Sequence, residues 1–384
     1  MNQYDVIIIG GGIHGAGCAQ AAVARGYSCL LLEQYPEPAQ GTSSRSSKLI
    51  HGGLRYLETG QFSLVKECLT ERRHLIKNAP ELVKLMPFYI PVYKQSKRRP
   101  WKIRLGLMLY FLFGGGRFKS IAKNQWGKLD ILNTNDLIAV YQYWDAQTDD
   151  AALTRAVLES ARTLNADIIM NACFEQAQRD NNGYSVRYTL GGKPHECHAR
   201  CLINATGPWV TNILEKVSPK PAMLNIDLVA GTHLVLPGYL KEGIYYLESP
   251  TDGRAVFVAP WKNHILIGTT EIVFHGLPEA IQPTQEETDY LLSIFNHYFT
   301  KDLSASDIIE AFAGLRVLPA SDHKAFDRPR DTVILADNPD DPRLFSIYGG
   351  KLTAYRATAE SVLNRVSAAL GKAAFKTDTK DLKI

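Results

Sequence analysis

No stretch of this chain is long and apolar enough to cross a bilayer. The longest such run, residues 105–113, falls far short of the ~20 residues that a spanning helix needs. No apolar leader precedes the first motif, which begins at Asp5, so no secretory signal is expected and a cytoplasmic protein is. The six cysteines (Cys18, Cys29, Cys68, Cys173, Cys197 and Cys201) lack paired spacing, which argues against a disulfide scaffold and suits a reducing compartment. Repeats and low-complexity tracts are absent too. Acidic residues are missing from one long segment: residues 82–129 contain no Asp or Glu, yet carry eleven Lys and Arg. A net charge of +4 for the whole chain therefore leaves −7 on the remainder.

What is present begins with an aliphatic run at residues 6–9, which suits a strand buried on both faces of a parallel sheet. Gly10, Gly12 and Gly15 follow as G-x-G-x-x-G, enclosing Ile13 and His14, and residues 16–24 read as a helix. Such glycines let the chain turn sharply and let its backbone approach a pyrophosphate, whose charge rests on the helix's first amides. His14 reads as a solvent-facing loop residue. Residues 30–32 form a second strand ending in Glu33, placed to accept hydrogen bonds from an adenosine ribose. Strand, glycines, helix, strand and acid in register identify a dinucleotide-binding unit.

At 384 residues the chain exceeds one comfortable core, and two domains are expected. Helices are expected at 61–79, 151–166 and 352–370. A β-rich stretch at 168–204 has turns at 181–183 and 191–192, and strands at 232–236, 255–260 and 264–268 suggest an antiparallel sheet. The reading is an α/β protein. A discontinuous Rossmann-like nucleotide domain (1–80, 146–220 and 331–384) is interrupted by a mixed or antiparallel sheet domain for substrate (81–145 and 221–330). The residues 195–201, rich in His and Cys, run straight into an apolar strand. A tetrahedral metal site needs four converging ligands, so no metal is assigned there.

Within the acid-free segment, residues 94–123 combine an apolar helix at 103–113 with flanking cations, and Trp101 and Trp126 stand near its edges. This is the pattern of a segment lying in the interface of an anionic membrane. The alternative is a buried helix with basic, solvated flanks. Nucleic acid is disfavoured, because the block's centre is aliphatic and no recognition motif accompanies it.

Several motifs together resemble FAD-dependent glycerol-3-phosphate dehydrogenases, members of the D-amino-acid-oxidase-like flavoproteins. They are residues 42–58 (TSSRSSKLIHGGLRYLE), 204–210 (NATGPWV), 231–233 (GTH), 267–271 (IGTTE), 314–316 (GLR) and 349–356 (GGKLTAYR). The resemblance implies non-covalent FAD, held by Gly10, Gly12, Ile13, His14, Gly15 and Glu33. Thr42, Ser43, Ser44, Ser47, Lys48, Leu49, His51 and Gly53 would join them, as would Ala205, Thr206, Gly207, Trp209, Gly314, Gly350, Lys351, Leu352 and Thr353. It implies oxidation of sn-glycerol 3-phosphate to dihydroxyacetone phosphate, with electrons passed to a membrane quinone and the enzyme attached to the membrane's cytoplasmic face. His233 is the candidate base, since imidazole titrates near neutrality. Arg316, always protonated, would stabilise the developing alkoxide. Arg55, Lys351 and Arg330 (or its neighbour Arg328) would bind the phosphate with Tyr56. Many family members carry a further helical domain after the last of these motifs. That domain is expected to be absent here, and the oligomeric state is left open. Two alternatives remain: a related flavin oxidase or dehydrogenase of another 2-hydroxy acid or amino acid, and a non-catalytic FAD-binding subunit.

Overall fold

The structure, a computed structural model, describes residues 2–320 and 332–384. The opening aliphatic run lies in the strand Asn2–Ile9, near the middle of a nine-stranded sheet. Cys29–Leu32 runs parallel beside it and Asp167–Ile169 beyond that. On the other side lies Lys193–Asn204, whose last residues pair in parallel with Leu344–Tyr348. Val6, Ile8, Leu31, Ile203 and Ile347 point into one core, shared with the helices Ile13–Ala24, Asp150–Thr163 and Tyr355–Leu370. Ile7, Ile9, Leu30 and Leu202 point into a second core on the opposite face. Burial on both faces is why these strands read as unbroken aliphatic runs, and each such side chain contributes about 1.5–3 kcal/mol.

The turns expected near 181 and 191 exist. Ala172–Asp180, Gly183–Leu190 and Lys193–Asn204 form an antiparallel meander. Gly191 and Gly192 both take positive φ (59° and 75°), as a two-residue hairpin turn matched to strand twist requires.

The second sheet has ten strands and is mixed, mostly antiparallel. Ile226–Leu236 pairs antiparallel with Glu310–Pro319, His264–Gly268 and Ile272–Phe274. Val83–Tyr93 and Leu137–Thr148 form a long antiparallel pair, and Ile244–Glu248 joins the former in parallel. The short strand Leu49–Ile50 also belongs to this sheet, through Leu137–Thr148. The chain thus passes between the sheets several times, and its crossovers converge on one cavity.

The acid-free block contains the helix Pro100–Tyr110, opened by proline at its first position and continued by a wider turn, Phe111–Gly115. Ile103, Leu107 and Tyr110 are buried. Trp101, Leu105, Met108 and Leu112, at helical spacing on the outer side, are 63%, 51%, 54% and 65% exposed. Among the described residues no helix is long and apolar enough to cross a membrane.

Candidate active site

A cavity of about 620 Å³ is lined by residues of both sheets, among them Gly10 and Gly12 of the glycine fingerprint and His233, Arg316 and Lys351. The fingerprint is shaped by close backbone contacts. Gly10 takes φ +103°, and a Cβ there would stand 2.9 Å from Ala205 O; a Cβ on Gly15 would stand 1.8 Å from Gly10 O. Gly15 does not line the cavity, for it serves this tight packing of the helix Ile13–Ala24 onto the strand before it. Glu33 is buried, and its carboxylate accepts from Gly11 N (2.5 Å) and Tyr35 N (2.9 Å). Burial raises its pKa, against the lowering by these backbone donors. Two of its lone-pair positions are used internally, leaving others for ribose hydroxyls.

Several expected cofactor ligands have protein partners. Ser43 Oγ accepts from Ile13 N at 2.9 Å, Thr42 Oγ1 donates to Leu315 O at 2.7 Å, and Ser47 Oγ lies 2.9 Å from His233 Nε2. All three still line the cavity, as do Leu49, His51, Gly53, Ala205, Thr206, Gly207, Trp209 and Gly314. Ser44 and Lys48 do not line it, contrary to expectation. The Ser44 hydroxyl donates to Gly41 O at 3.1 Å. Lys48 Nζ is buried 2.6 Å from Asp150 Oδ1 and also bonds Ser44 O, so its charge is neutralised within the protein. A partner roughly a hundred positions away leaves no mark in local sequence.

At the turn between the strand Leu344–Tyr348 and the final helix, Gly349 and Gly350 take φ +73° and +109°. A Cβ on Gly350 would stand 2.0 Å from His14 Nε2. His14 is therefore no solvent-facing loop residue. Its Nδ1 is buried without a partner among the described residues, and burial lowers its pKa to about 4, which keeps the ring neutral. Leu352 and Thr353 also line the cavity, and Thr353 Oγ1 accepts from His51 N at 3.1 Å. A cavity of this volume, a glycine-built cradle and a polar atom of His14 with no partner among the described residues fit FAD. Gly10, Gly12, Ser43 and Glu33 would hold its adenosine and pyrophosphate portions, with Gly350 and His14 beside the rest.

His233 sits on the strand Ile226–Leu236, directly opposite Gly268 and Phe312. A Cβ on Gly268 would stand 2.1 Å from the imidazole, so glycine makes room for the ring, which stacks on Phe312 at 5.1 Å. Burial, then the charges of Arg316 and Lys48, lower the His233 pKa to about 3. Arg316 Nη1 lies 3.2 Å from Glu271 Oε1, which fixes its guanidinium beside the cavity. Lys351 Nζ is buried with no hydrogen-bond partner among the described residues, 4.0 Å from the centre of the Tyr56 ring. Arg55 stacks on the same ring at 5.8 Å. The structure therefore gathers His233, Arg316, Arg55, Tyr56 and Lys351 on one cavity, whereas Arg330 and its alternative Arg328 lie outside the described residues. Arg254, Tyr246, Phe257 and Glu271 also line it and were not anticipated. Glu271 lies in one of the motifs noted above, but its pairing with Arg316 spans 45 positions.

Residues 5–356 match the family described as FAD dependent oxidoreductase. The D-erythritol 1-phosphate dehydrogenase of Brucella abortus (strain 2308) is 36% identical over 370 residues, covering 94% of this chain and 73% of that protein. The aerobic glycerol-3-phosphate dehydrogenase of Escherichia coli (strain K12) is 37% identical over 378 residues, covering 96% and 74%. Among solved structures, the glycerol-3-phosphate dehydrogenase of Bacillus halodurans complexed with FAD superposes with a TM-score of 0.79 at 28% identity, covering 99% of this chain and 67% of that one.

Proposed function

The chain belongs to the FAD-dependent oxidoreductase family, and on that premise we propose that it oxidises the secondary alcohol of sn-glycerol 3-phosphate to dihydroxyacetone phosphate. The coarser reading, an FAD-dependent oxidoreductase acting on a phosphate-ester alcohol, is common to the named activities of its relatives. One observation carries the phosphate: the Lys351 ammonium, buried without a hydrogen-bond partner among the described residues and sharing its cavity with Arg55 and Arg316. A buried cation without an anion is costly, and a phosphate dianion supplies both the charge and the acceptors. Arg55, Tyr56 and Lys351 bind it.

FAD, held in this cavity, would supply the two-electron acceptor for the hydride of the carbinol carbon. The residues manage the proton and the developing charge. His233, neutral and held to Ser47, takes the hydroxyl proton. Its pKa, depressed first by burial, makes it a weak base in the empty site, and the incoming dianion offsets the smaller contribution of the Arg316 charge. Arg316, fixed by Glu271, stabilises the alkoxide as the C–H bond breaks. A second base is favoured by one observation: Ser47 already engages Nε2 of His233, and His51 lines the same cavity. Comparing the pH dependence of kcat/KM in His233→Gln and His51→Gln variants separates the two, since only loss of the base removes its limb.

The two electrons pass on to a membrane quinone. Support for a lipid-side acceptor comes from the stripe Trp101, Leu105, Met108 and Leu112, exposed within the acid-free basic block. An apolar face rimmed by cations matches an anionic bilayer surface at its cytoplasmic face. The parallel-sheet segments serve as the FAD domain and the second sheet as the substrate domain. The experiment for the substrate is steady-state comparison of sn-glycerol 3-phosphate, D-erythritol 1-phosphate and glycerol with a dye acceptor. The highest kcat/KM is expected for the first, and a preference for the second would reassign the chain length of the substrate.

A further inference from the structure

The outward helix and the substrate loop meet at one buried hydroxyl. Tyr110 closes the helix Pro100–Tyr110, and its side chain is buried. Its hydroxyl accepts from Gly52 N at 2.7 Å and donates to the Asp145 carboxylate, whose oxygens lie 2.7 and 2.9 Å away. Asp145 is ion-paired with Arg72, which also donates to Trp144 O at 2.7 Å and to Gly114 O at 3.3 Å, in the turn that ends the helix. Gly52 adjoins His51 and precedes the short helix Leu54–Leu57, which carries Arg55 and Tyr56. The approach is tight: a Cβ on Gly52 would stand 2.6 Å from the Tyr110 oxygen, and one on Gly106 would touch Leu54 at 3.9 Å. The helix's inner face thus grips the loop that carries the phosphate-binding side chains, while its outer face is the exposed apolar stripe.

We propose that Tyr110 is a positioning residue, carrying the state of the outward helix face, bare or covered by lipid, to the substrate loop. The proposal rests on the membrane reading above. Gly52 N donates to the Tyr110 hydroxyl, with the Asp145 carboxylate that this hydroxyl bonds also engaging Gly52, and breaking buried hydrogen bonds is disfavoured, so helix and loop shift as one body. A lipid surface that holds the outer face therefore favours one placement of Arg55 and Tyr56, by as much as its differential affinity for that placement allows. With His233 as the base, the effect falls on capture of the phosphate ester rather than on hydride transfer, because His233 and Arg316 stand on strands outside this loop.

The test uses the FAD-loaded protein, vesicles of phosphatidylglycerol and phosphatidylcholine, and a dye acceptor. Wild-type protein is expected to sediment with the vesicles and to show a KM for sn-glycerol 3-phosphate lowered about fivefold, at the lower end of ordinary coupling, with kcat little changed. Tyr110→Phe, sedimenting equally, should lose the KM shift. A wild-type response in that variant, or lipid binding without any KM shift in the wild type, overturns the proposal while leaving the docking reading intact. Failure of the wild type to sediment overturns both. Amide exchange on the wild-type holoenzyme needs neither variant nor substrate: vesicles should protect residues 52–57 along with 100–115. Protection confined to 100–115 contradicts the coupling.

Discussion

Lys351 on one side, and His14 and His233 on the other, show opposite responses to the same enclosure. The ammonium lies over an aromatic ring and lacks a hydrogen-bond acceptor among the described residues, which is the basis for proposing that it binds the substrate's phosphate. Lys351→Met should retain FAD but lose a charge-assisted bond of roughly 1.5–3 kcal/mol, a loss of about 10–150-fold in kcat/KM expressed mainly in KM. Steady-state kinetics on the reconstituted variant checks this; an unchanged KM would remove Lys351 from the phosphate site. His14 and His233 are held neutral by burial, at about 4 and about 3 against an unfolded value near 6.5. The unfolded chain therefore binds more protons between those values, and stability of the apoprotein falls as pH drops below about 6.5. Each histidine contributes a loss of about 1.4 kcal/mol per pH unit until its folded-state pKa is reached. Urea melts from pH 7 to 5 should show a shallower acid limb for His14→Asn, by about one proton; an identical slope would mean that His14 titrates normally in the fold.

At the level of elements, the legible parts were those with a local signal. The strand–glycine–helix unit, the Gly191-Gly192 turn and the helix Phe62–Asn78 all follow from periodicity and turn chemistry within a few residues. Side-chain partnerships did not follow, because Lys48 with Asp150 and Arg316 with Glu271 are made by folding segments together from far apart. His14 was misread for the same reason: the wall that buries it, Gly350, arrives from the other end of the chain. The helix Pro100–Tyr110 is a different case. Both its buried and its exposed faces are apolar, so composition alone could not tell which side is covered. Replacing Leu105 and Met108 by Ser should abolish sedimentation with anionic vesicles and leave FAD content unchanged. Retained sedimentation would rule out that face as the docking surface. On the strand Ile226–Leu236, His233 depends on Gly268 opposite. Gly268→Ala should lower kcat by an order of magnitude or more through displacement of the ring, since about 1 Å of misplacement can cost 10²-fold. An unaltered kcat would show that the ring yields without loss.

On the scale of the whole molecule, the cavity is lined by residues of both sheets, so the fingerprint glycines, His233, Arg316, Arg55 and Lys351 reach it from distant parts of the chain. The fingerprint and the second sheet's His233 and Arg316 all line it, and the turn at Gly350 packs closely on His14 of the fingerprint. Filling this cavity should bind the two halves together: FAD at about a thousand times its Kd should add about 4 kcal/mol of stability, read as a higher Tm than the apoprotein's. The central claim, oxidation of a phosphorylated alcohol by the bound flavin, is tested most directly by anaerobic addition of sn-glycerol 3-phosphate to the yellow holoenzyme while following the flavin's long-wavelength absorbance. Prompt bleaching by this ester, and none by glycerol or lactate, is the expected result. A holoenzyme that stays yellow with both sn-glycerol 3-phosphate and D-erythritol 1-phosphate, or bleaches equally with glycerol, would contradict it.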